Sequence, residues 1–437
     1  MSRRNLTVLF VALAIGLLCY ARSERNPYAR YIGHAYELVD DFALEQPTDR
    51  ELFAGAMQGI VGVLRQRGDV HSDFLDPRKA EPFMADIRQE FGGVGVRVSF
   101  EGEPPRVVVI EPPQPGTPAY ASPIRVKDQI LTVDGKPTEG MALGEVVTMM
   151  RGKVGAPVSL SVRHENGEED TFQLVRAEIR VPSVIGDRPT AEGGWRYELE
   201  SEPRVALLRV TSFGNRTADE LADALKQVVD DGAEAVVLDF RGNPGGPLDT
   251  AVRACELLLP AGSLVVTIRG RDGEVQSAFE TAENGPYVDL PLAVLVDGDT
   301  ASASEIVAAA LQDHGRAVVV GQRSYGKGTV QQMLELEPGR SMLKLTTASF
   351  WRPSGVNIHR LPGAPEDAPW GVSPDKGAEV PLTEKERIAW YEWRRNRDLV
   401  GLEPASDESG AAADPLVKDR TLAKAVERLD VALNDQP

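Results

Sequence analysis

With 437 residues, 42% hydrophobic and 26% charged, the chain has the make-up of a globular protein with room for two or three domains, which excludes a disordered polymer and a multi-span membrane protein. Its 66 acidic against 48 basic residues give a formal charge of −18, so a phosphate backbone would be repelled and nucleic acid is not an expected partner. Cys19 and Cys255 supply no disulfide framework, and the five scattered histidines lack the spacing of a metal site; neither a metal nor a cofactor is expected.

Arg3 and Arg4 precede a nearly uncharged run, Leu6 to Ala21, which as a helix would extend roughly 24 Å. That suits the core of an export signal or a short anchor better than a full span of about 17 to 25 residues. Cys19-Tyr20-Ala21 offers a cleavage site, and the bulky Leu18 argues against lipid attachment at Cys19. Residues 1–26 are therefore read as a signal peptide or anchor, with the rest exported: periplasmic, or held on the inner membrane with its catalytic part outside the cytoplasm.

Residues 27–91 show helical spacing, first in Ile32, Ala35, Val39 and Phe42, then in Phe53, Met57, Ile60, Val61 and Leu64. Thr48 and Glu51 form a capping box for the second helix. No catalytic cluster stands out, and the expectation is a helical prelude packed on a neighbour.

After Phe91 the period becomes strand-like: Gly92 to Val98, Arg106 to Ile110, Asp128 to Gly135 with its Asp-Gly turn, and Pro157 to His164, with a helical stretch from Leu143 to Met150. Gly93-Val94-Gly95-Val96, Gly116-Thr117-Pro118-Ala119 and Asp128 to Gly135 together resemble a PDZ domain over residues 92–177. The resemblance implies that Gly93, Val94, Gly95 and Val96 form a loop whose backbone N–H groups hold a free C-terminal carboxylate, while the next strand takes the peptide as an added strand. Read alone, Gly93 and Gly95 would be an ordinary tight turn or bulge.

From residue 178 to 402 strands and helices alternate: Val205 to Val210, Thr217 to Asp231, Ala235 to Phe240, Leu248 to Leu259, Leu292 to Val296, Ser304 to Leu311, Ala317 to Val320. This is an α/β layer, whose ligands sit where strands hand over to helices. Two such junctions, Asp239 to Gly246 and Asp299 to Glu305, can each aim free N–H groups at a developing anion. A third segment, Gly321 to Gln332, sets Lys327 between two glycines and is followed by a strand. No histidine is placed to activate Ser302, but a neutral lysine amine can. An exposed lysine is neutral in only about one molecule in 2,500 at pH 7, so burial must favour the amine. Gln331 is spaced to orient it.

The run Thr300-Ala301-Ser302-Ala303-Ser304-Glu305-Ile306, then Gly326-Lys327-Gly328-Thr329-Val330-Gln331, after Gly242-Asn243-Pro244-Gly245-Gly246 and the PDZ-like segment, resembles the carboxy-terminal processing peptidases, or tail-specific proteases, from about Tyr31 to Val380. The resemblance implies a serine endopeptidase with a Ser–Lys dyad on a crotonase-like α/β core. Ser302 would be the nucleophile, Lys327 the general base and Gln331 the residue that positions it. The amides of Ala303 and of Gly245 or Gly246 would form the oxyanion hole. Substrates would be proteins or peptides with a free C-terminus, an adaptor protein is a further candidate partner, and the PDZ-like module is a candidate gate. Two departures stand out: Thr300 replaces a common serine, and Pro353 to Arg360 matches only in its first half, which leaves the rim of the site and its substrate preference open.

Plainer readings remain. Ser302 and Glu305 also fit a helix capping box, and Lys327 between glycines also fits a solvated loop. Gly321-x-x-x-x-Gly326-Lys327 is near a nucleotide P-loop, but Gly328 replaces the Mg²⁺-binding hydroxyl and a strand follows. A non-catalytic binding protein for C-termini is the other alternative. Asp313 and His314 end the helix that Ser302 opens, roughly 16 Å away along its axis, too far for a triad. Residues 403–437 read as a linker, Pro404 to Asp414, and a helix from Leu416 to Leu433 capped by Asp419 or Thr421, suited to docking or, through the terminal helices, to homo-oligomer contacts.

Overall fold

The computed structural model describes residues 26–190, 193–338, 340–398 and 414–434. The Leu6 to Ala21 run and the linker as far as Ala413 lie outside them. Among the described residues no helix is long and apolar enough to cross a membrane. The chain divides into two compact units, one running to Asp76 and including Met333–Lys344, the other holding the rest.

In the first unit, helices α1 (Pro27–Phe42) and α2 (Asp49–Gln66) follow the apolar periodicity. Glu51 Oε2 accepts the Thr48 N–H at 2.8 Å and Thr48 Oγ1 accepts the Glu51 N–H at 3.3 Å, which is the expected capping box. The prelude is not wholly helical. Strand β1 (Asp73–Leu75) pairs antiparallel with Met342–Lys344, and Phe74, buried there, meets the Phe53 ring edge-on at 5.6 Å.

In the second unit, α3 (Pro77–Arg88) leads into β2 (Glu90–Gly93), and the sequence from Gly92 to Val98 is not one strand. Thr117 lies so close to Gly95, which takes φ +84°, that a Cβ there would come within 2.2 Å of its hydroxyl; the strand breaks and resumes as β3 (Val98–Glu101). Then come β4 (Arg106–Val109), β5 (Gln129–Val133), α4 (Leu143–Met150), β6 (Pro157–Arg163), β7 (Glu169–Val175) and β8 (Ala177–Arg180). Strands β3-β4-β5-β6-β7 form one sheet in that order. Its inward residues Val107, Val109, Ile130, Val133, Leu160 and Val162 enclose Val146 and Met150 of α4. Antiparallel pairing of β2 with β8, Gly93 opposite Ala177, closes the module at its base.

His164 sits at the end of β6, with Nδ1 2.8 Å from Asp128 Oδ1 and Nε2 3.3 Å from Asp170 Oδ2. The hydrogen bond to Asp128 raises its pKa against the effect of burial. A raised folded-state pKa contributes stability that is full below the ordinary histidine value, about 6.5, and is lost as pH rises through the raised one. Thermal melts of the wild type and of His164→Gln should differ most at acidic pH and converge above neutrality; a gap that widened with pH would contradict this assignment.

The core follows: β9 (Val184–Ile185), β10 (Glu202–Val210), α5 (Thr217–Asp230), β11 (Ala235–Asp239), α6 (Leu248–Glu256), β12 (Leu264–Arg269), β13 (Leu292–Val296), α7 (Ala303–Asp313), β14 (Val318–Gly321), β15 (Thr329–Glu337), β16 (Ser341–Trp351), α8 (Glu384–Arg397) and α9 (Arg420–Asn434). The central sheet runs β9-β10-β11-β13-β14, with the last four strands parallel. Successive side chains of a strand face opposite sides. Accordingly Leu208, Val236, Leu238, Val294 and Val319 pack under α5, α6 and α7, while Leu207, Val237, Ala293, Leu295 and Val320 pack under Leu422, Ala425 and Leu429 of α9. A helix on each face makes the apolar runs of the parallel strands continuous. The expected helix Leu416 to Leu433 is interrupted at Asp419, whose Oδ1 accepts the N–H groups of Thr421 and Leu422 and so caps α9.

Candidate active site

Strands β11, β13 and β14 each hand over to a loop at their carboxyl ends, and the three loops are laced together. Ala301 N–H donates to the Asn243 carbonyl at 2.9 Å, and Tyr325 N–H to the Thr300 carbonyl at 2.9 Å. Thr300 Oγ1 donates to the Phe240 carbonyl at 2.9 Å and accepts the Asp297 N–H at 2.9 Å. A serine could make the same bonds, so the departure at Thr300 leaves this lacing intact.

Ser302 is buried and takes φ 58°, ψ −117°, a conformation costly for a residue with a Cβ, on the order of 1–3 kcal/mol. It opens α7, whose first N–H groups have no intrahelical acceptor. The strain is held by Glu305, one turn on and fully buried. Glu305 Oε2 accepts the N–H of Ser302 at 2.7 Å and that of Lys327 at 2.8 Å; Oε1 accepts Ser324 Oγ–H and the Gly326 N–H, both at 2.6 Å. Burial raises the Glu305 pKa, and these four donors oppose that. The sequence suggested Glu305 only as a capping partner. Its contact with the lysine loop, formed across the fold, left no mark on local spacing.

Lys327 is half-buried, not a solvated tip. Gly326 takes φ +84°, and a Cβ there would lie 2.8 Å from Trp370 and from Arg360 Cβ; one at Gly328 would lie 2.1 Å from the His359 nitrogen. Arg360 N–H donates to the Gly326 carbonyl at 2.8 Å and Phe350 N–H to that of Gly328 at 2.7 Å. The glycines are there because Ile358 to Arg360 lies directly against the lysine loop, so this half of the Pro353 to Arg360 segment braces the loop. The P-loop reading fails: Gly326 and Lys327 spend their N–H groups on a carboxylate, and strand β15 follows. Gln331 Nε2 donates to Thr329 Oγ1 at 2.8 Å and to Thr346 Oγ1 at 3.3 Å.

Gly245, at φ +89°, lies against the serine turn, where a Cβ would come within 2.7 Å of Ser302 Cβ and of the Ala303 nitrogen. Its own N–H donates to Asn243 Oδ1 at 2.9 Å, and Asn243 Nδ2 donates to the Val210 carbonyl at 2.7 Å. At Gly246 a Cβ would meet the Phe213 carbonyl oxygen at 1.9 Å. Both positions exclude any side chain. In the PDZ-like module, Val94 O accepts the Ala119 N–H at 2.9 Å and Gly95 O accepts the Gln114 N–H at 3.1 Å. A trans peptide points its N–H opposite its C=O, so the N–H groups of Gly95 and Val96 face away from that turn. Gly93 belongs instead to the β2–β8 ladder. Asp313 is held by Arg352 and His314 Nε2 lies 2.8 Å from the Leu264 carbonyl oxygen, so neither serves Ser302.

The loop that carries Gly245 is anchored from behind. Arg241, whose side chain is buried, grips Asp239 at 2.9 and 2.7 Å and Asp419 at 2.9 and 2.7 Å, stacked 4.1 Å above the Trp390 ring. Removing one partner of such a buried set is strongly destabilising, by about 3 kcal/mol. Asp419→Ala should lower the denaturation midpoint accordingly and slow any turnover that depends on the loop; an unchanged midpoint would show that Arg241 needs no such partner.

The sequence pattern of Peptidase family S41 matches residues 204–376, and that of the PDZ domain matches residues 84–163. A carboxy-terminal-processing protease of Bartonella bacilliformis is 33% identical over 425 residues, covering 93% of this chain and 91% of its own. The carboxy-terminal processing protease CtpA of Bacillus subtilis is 31% identical over 351 residues, 80% of this chain and 69% of its own. With likeness extending over nearly the whole of a relative's length and both patterns falling on the parts that carry the serine turn and the glycine loop, the chain belongs to peptidase family S41 and contains a PDZ domain.

Proposed function

We propose that Ser302 is the nucleophile and Lys327 the general base of a carboxy-terminal processing serine peptidase. One observation carries the reading: a single buried oxygen, Glu305 Oε2, accepts the N–H of both residues, so two segments remote in sequence are tied to one point. The neutral Lys327 amine takes the hydroxyl proton as Ser302 Oγ attacks the scissile carbonyl carbon, and the resulting ammonium returns it to the departing amine. Water then attacks the acyl carbon as it gives a proton to the Lys327 amine, and the ammonium returns that proton to Ser302 Oγ as the Ser302–acyl bond breaks and the carboxylic acid leaves. The Ala303 N–H at the start of α7 stabilises the oxyanion. Because the Gly245 N–H is donated to Asn243, Gly246 is the favoured second donor. The Gln331 amide oxygen positions the lysine. The N–H groups of Gly95 and Val96, with Gly93 and Val94 behind them, receive the substrate's terminal carboxylate.

The parallel sheet sandwiched between helices is in keeping with a crotonase-like core, with the PDZ domain inserted through the β2–β8 ribbon. An exported location follows from the reading of residues 1–26. The test is incubation of the purified chain with an unfolded polypeptide and with its C-terminally amidated twin. Fragments are expected from the free form at least about tenfold faster, as befits loss of a charge-assisted carboxylate contact. No fragments from either would end the peptidase reading, and equal rates would end the role of the carboxylate.

A further inference from the structure

The sheet of the PDZ domain begins at β3, whose outer edge pairs with no other strand among the described residues. Beside the start of that strand is a cavity of about 390 Å³, bounded on one side by Arg97, Val98 and Ser99 and on the other by Arg209 and Arg395, with the paired carboxylates of Asp239 and Asp398 also in its wall. The buried guanidinium groups behind it share their anions. Asp398 serves both Arg209, at 2.6 and 3.0 Å, and Arg394, at 2.8 Å, while Asp187 serves both Arg394 and Arg397. Burial, and after it the neighbouring Arg394 cation, lowers the Arg209 pKa against the pull of Asp398 and Asp239. Arg395, exposed on α8, has no ion pair among the described residues. Arg97 pairs with Glu111 at 2.7 Å but remains 62% exposed.

We propose that this cavity is a specificity subsite that takes an acidic side chain of the captured polypeptide, close to its C-terminus. The proposal rests on the reading that the Gly95–Val96 loop holds the terminal carboxylate. A peptide added to β3 with its end at that loop runs back along the strand at about 3.3 Å per residue, so its side chains reach Arg97 to Ser99 about two to four residues before the end. There the cavity offers arginines whose buried anions are already divided, and a glutamate or aspartate would complete the balance. A neutral side chain would leave it as it is.

Fluorescein-labelled peptides with glutamate or glutamine at the second, third or fourth position from the end, each free and amidated, can be titrated by anisotropy into the full chain carrying Ser302→Ala, so that no turnover intervenes. At the best position the glutamate peptide is expected to bind about tenfold more tightly than its glutamine twin, the ratio falling with added salt. Arg395→Gln, on an exposed helix face where the fold is spared, should bring that ratio close to one. Equal affinities at all three positions, or a ratio that survives Arg395→Gln combined with Arg97→Gln, would overturn the subsite. The amidated pairs keep the two readings apart: if free and amidated peptides bind alike but glutamate still wins, the carboxylate loop falls and the acidic subsite stands.

Discussion

Ser302→Ala and Lys327→Ala are each expected to lower kcat by about 10⁴-fold or more, roughly 5.5 kcal/mol of transition-state stabilisation, with little change in melting temperature. The two residues act on one proton, so the double replacement should be scarcely worse than either single one. Ser302→Ala keeps the backbone N–H that Glu305 accepts at 2.7 Å, and Lys327→Ala keeps its own at 2.8 Å, so the framework around Glu305 survives both changes. Lys327→Arg separates a base from a mere cation. Guanidinium does not lose its proton in proteins, so the arginine chain should be as inactive as the alanine one even though it retains positive charge. Steady-state cleavage of an unfolded polypeptide, with circular dichroism to confirm folding, decides the matter; near-normal turnover by Lys327→Arg would dismiss the lysine as base.

The parts of this site that the sequence made legible are those written in local chemistry. The glycines at 245, 246, 326 and 328, conspicuous in the sequence, each stand where a Cβ would collide with a neighbouring segment. The apolar runs of β11 and β13 are buried at every position, as strands covered on both faces must be. What escaped was written in charge. Helix α8 carries few apolar residues; its buried positions include Arg394 and Arg397, made tolerable by Asp187 far back in the chain. No hydrophobic period can announce such a helix. The break between β2 and β3 depends on Thr117, a contact remote in sequence that overrides a local preference. The Asp419 cap of α9 was legible; the second task of that carboxylate, holding Arg241, was not.

Glu305 shows the same blindness at the point of greatest consequence, and its replacement is the second large effect expected. Four donors converge on its two oxygens, and three of them are backbone N–H groups that cannot turn away. Each buried donor left without an acceptor costs about 1–3 kcal/mol, so Glu305→Ala should lose roughly 4 kcal/mol or more. Glu305→Gln is the sharper variant. Its carbonyl can still serve one pair of donors, but its amide nitrogen sets hydrogens against the other pair, so about half the loss is expected from a side chain of nearly the same shape. Which pair suffers decides the functional outcome: the oxygen that joins Ser302 to Lys327 holds the strained serine turn and the lysine loop in one geometry, and a shift of about 1 Å there can cost on the order of 10²-fold in rate. Urea denaturation should therefore show a lower midpoint for both variants, and kcat should fall far more than KM rises for Glu305→Gln. A glutamine chain with wild-type kcat would mean that the shared carboxylate merely supports the fold and does not set the distance between nucleophile and base.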